Sequence, residues 1–390
     1  MTAAPETVME RALGLLEKLV AFDSDSSKSN LPLVAFVKSW LQEQGIPCVI
    51  ALNAKGDKAA LMASVGPMVG GGIVLSGHTD VVPVAGQAWS SDPFALRREG
   101  GRLYGRGTCD MKGFDSVALA MLPELARLPL KAPVHVLLSY DEELTCLGSL
   151  DLIRRFGKDC PIPGAVIVGE PTLMQVADSH KCISTYYTTV NGVEAHSARP
   201  ALGANAIAAA GELVHALTGI AEAYEAAGDP SGRFDPGYAT VCVGTIAGGT
   251  ARNILAKQCR FHWEYRGLPG MRSDDAFRRF QTYVDTIALP RLTRFTHLAS
   301  IVTDTEVEVP GLAAEPGSPA ETLALRLTQS NRTIAVSFAT EAGQFQRAGL
   351  PTVVCGPGSI EQAHQPDEFV EIAQLEACVG FVRGIARELC

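Results

Sequence analysis

Gly71-Gly72-Ile73-Val74-Leu75-Ser76-Gly77-His78-Thr79-Asp80-Val81-Val82-Pro83 is the stretch that decides how this chain is read. Its apolar first half reads as a buried strand. The strand stops in a His, with an Asp two residues on. At a strand terminus of an open α/β sheet a side chain is held rigidly yet faces a crevice, where ligands bind. His78 is therefore a candidate metal ligand. Asp80 is close enough to accept the proton on the other imidazole nitrogen and fix its tautomer. Taken alone, the pair also reads as a capping Asp beside a surface His.

Three more junctions repeat the pattern. Leu103-Tyr104-Gly105-Arg106-Gly107-Thr108-Cys109-Asp110-Met111-Lys112-Gly113 is a glycine-marked loop before a helix-like stretch at 114–125, which places Asp110 at or near a helix start. An N-cap is the alternative use of this Asp. The strand-like Val134-His135-Val136-Leu137-Leu138-Ser139-Tyr140 ends in Asp141-Glu142-Glu143. Three adjacent acids repel one another. They read either as a solvated turn or, better, as partners of a multivalent cation. Ala165-Val166-Ile167-Val168-Gly169-Glu170 again delivers a carboxylate as an apolar strand stops. Capping explains any one of these junctions but explains all four poorly. A fifth segment, 356–368, follows the strand-like 352–355 and carries His364 in a polar loop punctuated by Gly and Pro. His215, by contrast, sits inside the helix-like run 204–220.

At 390 residues the chain exceeds one ordinary core, so two domains are expected. A hydrophobic fraction of 47% suits a globular protein, and the net charge of −9 argues against nucleic acid or an anionic membrane surface as partner. No apolar run approaches spanning length. The acidic stretch 1–10 lacks the basic-then-apolar pattern of a secretory signal, so a cytoplasmic location is expected. The ten cysteines are scattered, with no Cys-x-x-Cys pair, and read as reduced thiols. Cys109 lacks an activating base nearby in sequence.

Helix-like and strand-like segments alternate up to about residue 181 and again from 320, which implies a sheet covered by helices. Between them, 184–309 follows a β-α-β-β-α-β order. The expected fold is α/β: a helix-covered mixed sheet in two parts, 1–182 and 310–390, interrupted by an inserted α+β, ferredoxin-like domain at 183–309. The insertion lets His364 rejoin His78, Asp110, Glu143 and Glu170.

In this order, these segments resemble the zinc aminoacylase and metallopeptidase family that contains acetylornithine deacetylase, succinyl-diaminopimelate desuccinylase and carboxypeptidase G. The resemblance covers nearly the whole chain. Within the family, 168–172, 248–254 and 340–364 are most similar to the acetylornithine deacetylase type. The resemblance implies two Zn²⁺ per subunit, with Co²⁺ as a substitute. Asp110 would bridge the ions, His78 and Glu170 would complete one site, and Glu143 and His364 the other. It implies Glu142 as general base to water activated by the metals, Asp80 behind His78, and His196 as an oxyanion donor on a dimerisation or lid domain. Arg252 and Asn253 are implied contacts to the substrate carboxylate, Arg being suited to bidentate binding. Gly356 and Ser359, in a loop rich in Gly, would serve the same carboxylate or only shape the turn before His364. Cys182 stands where many relatives of the deacetylase type carry Gly, so Lys181 is given no substrate role. The implied reaction is hydrolysis of the N-acetyl amide of N²-acetyl-L-ornithine for arginine synthesis, in a cytoplasmic homodimer. Another N-acyl-amino-acid hydrolase, such as a desuccinylase, is the alternative within the class. A non-catalytic metal-binding scaffold is the alternative outside it.

Overall fold

The computed structural model describes residues 6–390. The first five residues of the stretch read above as lacking a signal lie outside it. The chain forms two compact units. The first comprises the residues up to Ser179 with 314–334 and 340–390, and the second comprises 180–313 with 335–339.

The first unit is built on an eight-stranded mixed sheet, in the order Cys48–Leu52, Ala59–Val65, Val134–Ser139, Ile73–His78, Ala165–Pro171, Thr352–Gly356, Ala177–His180, Ile334–Val336. The central strands Ile73–His78, Val134–Ser139 and Ala165–Pro171 are buried along their whole length. Continuous Val, Ile and Leu is what a parallel strand covered on both faces requires. Helix Lys112–Leu125 is buried on nearly every side, and Val8–Val20 and Ile372–Leu389 pack against it. Phe114, Leu119, Leu16, Phe381 and Ile385 belong to the resulting core.

Strand register determines where the chemistry lies. Ile73–His78 runs parallel to Val134–Ser139, with His78 opposite Ser139, and parallel to Ala165–Pro171, with Ser76 opposite Val168. Thr352–Gly356 is parallel to Ala165–Pro171. The carboxyl ends of all four strands therefore meet at one edge of the sheet.

Several elements depart from the sequence expectation. Glu170 lies inside its strand rather than beyond it. Where the expected strand–helix alternation calls for a helix after Val134–Ser139, the chain forms two single turns, Glu142–Thr145 and Leu150–Ile153. Between them, a Cβ on Gly148 would stand 1.8 Å from the Tyr140 carbonyl oxygen, so the chain doubles back too tightly for a continuous helix. A small sheet of Arg97–Glu99, Arg102–Tyr104 and Phe369–Glu371 was not foreseen. Its pairing of Leu103 with Val370 ties together two loops far apart in sequence.

The second unit is a four-stranded antiparallel sheet, ordered Thr240–Gly248, Gln258–Arg266, Ile183–Asn191, Ser300–Val309. Burial alternates along Ile183–Asn191, so only one face packs against helices. Helix Ala206–Ala227 contributes Ala206, Ala210, Leu213 and Leu217 to that core. It corrects the reading that no segment reaches spanning length. It has 22 residues, and an 18-residue window has a mean hydropathy of 1.2. Much of that value comes from Ala, and its buried residues belong to the unit's own core.

Candidate metal centre

His78, at its strand end, faces Asp110 with Nε2 3.1 Å from Oδ1. Glu170 Oε1 is 3.8 Å from the same nitrogen and Glu142 Oε2 is 3.9 Å away. The other carboxylate oxygen of Asp110 lies 3.3 Å from His364 Nε2, which is also 3.0 Å from Glu143 Oε2. Two trios thus form, His78–Asp110–Glu170 and Asp110–Glu143–His364, sharing Asp110. Within each trio the potential ligand atoms lie within 4.8 Å of one another. The first trio is buried, whereas the His364 side chain is 48% exposed and opens the second to solvent.

The sorting of the adjacent acids follows from the single helical turn at Glu142–Thr145. Successive side chains on a helix point about 100° apart. Glu143 therefore reaches His364 while Glu142 turns towards His78.

Asp80 acts differently from the expectation. The acceptor closest to His78 Nδ1 is the Asp80 backbone carbonyl at 3.0 Å, with the carboxylate at 3.6 Å. The carboxylate instead accepts from Ser26 Oγ at 2.7 Å and from the backbone N–H groups of Glu142 and Glu143, each at 3.2 Å. One residue thereby orients His78 and holds the turn carrying both glutamates. Next to it, Asp141 is ion-paired with Lys58.

The electrostatics are those of acids crowded in a low-dielectric site. Burial, followed by repulsion from neighbouring carboxylates, pushes Glu142 up to about 8 and Glu143 up to about 7. Glu170 is raised well above the carboxylate range for the same reasons. Burial opposes a charged His78, but Asp110, Glu142, Asp80 and Glu170 outweigh it and raise its pKa. Hydrogen bonds to Asp110 and Glu143 raise His364 to about 10. Burial works against Asp110, yet both imidazoles hold it below the usual carboxylate range.

This donor set fits divalent cations. It is mixed imidazole and carboxylate without thiolate, as suits zinc. Among the described residues the buried Glu170 Oε1 has no hydrogen-bond partner, and it lies 3.8 Å from His78 Nε2. Metal binding must expel protons from groups that hold them at neutral pH. Loading the metal-free chain is therefore expected to release protons, and affinity to fall as pH drops below about 10, where His364 takes its proton, and further below about 7, where Glu143 does. Titration calorimetry in buffers of different ionisation enthalpy measures this. A heat independent of buffer would refute it.

The remaining sequence candidates separate into two groups. His196, Arg252 and Asn253 lie in the second unit, where a bridge between His196 and Ile254 brings them side by side. Ser197 N–H donates to the Asn253 carbonyl at 2.9 Å. All three residues are exposed. Gly356 does not offer a free backbone donor. Its N–H donates to Thr172 Oγ1 at 3.2 Å, and its carbonyl accepts from Met174 N–H at 2.8 Å. A Cβ there would lie 1.9 Å from the Gly169 carbonyl oxygen, so this glycine serves strand packing. Ser359 Oγ accepts the Glu361 N–H at 3.3 Å.

Residues 74–388 match the model of peptidase family M20/M25/M40. This chain belongs to that family. It is 31% identical to acetylornithine deacetylase of Salmonella typhimurium over 392 residues, covering 97% of this chain and 96% of that one. Among solved structures, an M20 family metallo-carboxypeptidase from Sulfolobus solfataricus superposes with a TM-score of 0.73 at 16% identity, over 96% of this chain and 98% of that chain. A dinuclear metal-binding M20 peptidase from Bacillus subtilis gives a TM-score of 0.66 at 15% identity, over 98% of both chains. At such identities the structural likeness concerns the fold. The fold of this M20 chain agrees with the α/β expectation, with a large mixed sheet and a separate antiparallel one.

Sequence reasoning left several buried acids without a role, among them Asp115, Glu341 and Glu368. Glu368, four residues beyond His364, is 1% exposed and reaches the backbone of the Asp110 loop. Its only sequence signal is its place in the same polar segment.

Proposed function

We propose that this M20 hydrolase cleaves the amide of an N-acylated amino acid, with N²-acetyl-L-ornithine as substrate, giving ornithine and acetate for arginine synthesis. The observation that carries the reading is the pair of trios joined at Asp110, with Glu142 beside them and in neither. Similarity to acetylornithine deacetylases over nearly the whole chain supports the substrate. The proposed ligands are His78, Asp110 and Glu170 for one ion, and Asp110, Glu143 and His364 for the other. Bound zinc, or cobalt in its place, would polarise the scissile carbonyl and lower the pKa of water.

The chain's own groups do the rest. Glu142 takes a proton from the attacking water as the C–O bond forms, then delivers it to the amine nitrogen as the C–N bond breaks. Cys146 Sγ donates to Glu142 Oε1 at 3.2 Å, which leaves Oε2 on the His78 side. Asp80 keeps the Glu142 backbone in place. His196 is the proposed donor to the oxyanion. Its Nδ1 accepts the Ala198 N–H at 3.1 Å, so a neutral ring carries its proton on Nε2, ready to donate. Arg252 and Asn253, neighbours of His196, are the proposed contacts to the α-carboxylate. Ser359 stays a weaker candidate for that contact. A homodimer formed through the second unit, in the cytoplasm, completes the proposal. A monomer in sedimentation equilibrium would refute the dimer.

The test is a panel of N-acetyl, N-formyl and N-succinyl amino acids with zinc or cobalt, scored by kcat/KM. N²-acetyl-L-ornithine is expected to rank first. Preference for N-succinyl-diaminopimelate would move the chain to the desuccinylase alternative. Failure on every acylated amino acid would favour a metal-binding scaffold.

A further inference from the structure

Glu368 accepts more hydrogen bonds from the loop carrying Asp110 than any ligand makes with it. Its Oε1 accepts the backbone N–H groups of Cys109 at 2.8 Å and Asp110 at 3.1 Å. Its Oε2 accepts the Gly107 N–H at 3.0 Å and Arg106 Nη1 at 2.7 Å. Its backbone carbonyl accepts the Gly105 N–H at 3.0 Å. The Glu368–Arg106 pair is almost fully buried, each side chain 1% exposed. Arg106 extends the connection, since its Nη2 donates to Gln87 Oε1 at 2.6 Å and Gln87 Nε2 donates to the His364 carbonyl at 2.8 Å.

We infer that Glu368 is a positioning residue that locks the Asp110 loop and the His364 loop into one frame, and so sets affinity at the second metal position. The inference rests on the two-ion reading above. The asymmetry comes from where the ligands sit. His78 ends its strand opposite Ser139, and Glu170 sits inside its strand next to Pro171, which pairs with Gly356. His364 stands on a loop that the network reaches through Gln87 and through Arg106 Nη1, which donates to the neighbouring Gln365 carbonyl at 3.5 Å. Loss of the network leaves the first position with two rigid ligands and the second with only Glu143 on an independent support. A buried carboxylate whose partners are all donors cannot be replaced neutrally. In Glu368→Gln one oxygen becomes an NH₂ facing two donors, either Arg106 with the Gly107 N–H or the two N–H groups of Cys109 and Asp110.

The experiment measures cobalt binding and its visible absorption for wild type, Glu368→Gln and Arg106→Met, with thermal melting of the chelated proteins. Wild type is expected to take two ions. Glu368→Gln is expected to keep the first ion at wild-type affinity and to bind the second about 10- to 100-fold more weakly, the usual cost of removing an outer hydrogen-bond partner. Arg106→Met leaves the backbone donors on Glu368 but cuts the contacts to Gln87 and the Gln365 carbonyl, and is expected to weaken the second ion while sparing the first. A purely structural role would lower the melting temperature without separating the two binding steps. Two wild-type affinities in Glu368→Gln, or equal weakening of both, overturns the inference while leaving the two-ion reading intact. A wild-type chain that takes fewer than two ions overturns both.

Discussion

Asp110→Asn is expected to cost the chain both ions. Asp110 belongs to each trio, with one oxygen 3.1 Å from His78 Nε2 and the other 3.3 Å from His364 Nε2. The substitution keeps shape and volume but removes a negative charge and one of the two anionic oxygens. Even outer-shell partners cost about 10- to 100-fold in metal affinity, so loss of the shared ligand is expected to exceed about 100-fold at both positions. Bound metal after gel filtration should fall well below one ion per chain, and turnover should fall with it. Melting in chelator checks that the variant still folds. Two ions bound at wild-type affinity would refute the shared-ligand reading.

Glu142→Gln is expected to do the opposite, leaving metal in place and abolishing chemistry. Glu142 is in neither trio, and its backbone is held by Asp80 whichever side chain it carries. An amide cannot accept the proton of water. The expected fall in kcat is about 10²–10⁴-fold, the usual contribution of a positioned base. Metal content and KM should change little. Burial raises the Glu142 carboxyl to about 8 in the chain without cations. Nearby cations favour its ionised form and pull that value down. A base acts only when ionised, so kcat/KM of the wild type should rise with pH along a limb whose midpoint lies below about 8. An active Glu142→Gln chain with intact metal would remove Glu142 from the mechanism. An inactive chain that has lost its metal would make Glu142 a ligand instead.

The positions of the acids and of His78 were legible in the sequence because strand termination is a local event. Where Ile73-Val74-Leu75 and Val134 to Ser139 stop, the next polar side chain must lie at a sheet edge, and parallel pairing brings those edges together. The inserted α+β unit was legible for a similar reason: its strand alternation and its helix spacing are local periodicities. What was not legible is whatever depends on partners far apart in the chain. The pairing of Arg102–Tyr104 with Phe369–Glu371 follows no local pattern, yet it sets the Asp110 and His364 loops against each other.

Residue identity and approximate place were readable in the sequence: five candidate metal ligands near strand ends or in loops, with two adjacent acids at 142–143. Tertiary structure alone decided the working arrangement. It parted Glu142 from Glu143 through a single helical turn and committed the Gly356 backbone to Thr172 and Met174. It also gave Asp80 the task of holding two glutamates and drew Glu368 across from 258 residues away. The physical reason is that a hydrophobic pattern records which face of an element is buried, whereas a hydrogen-bonded site is specified by distances between elements that only the folded chain brings within reach.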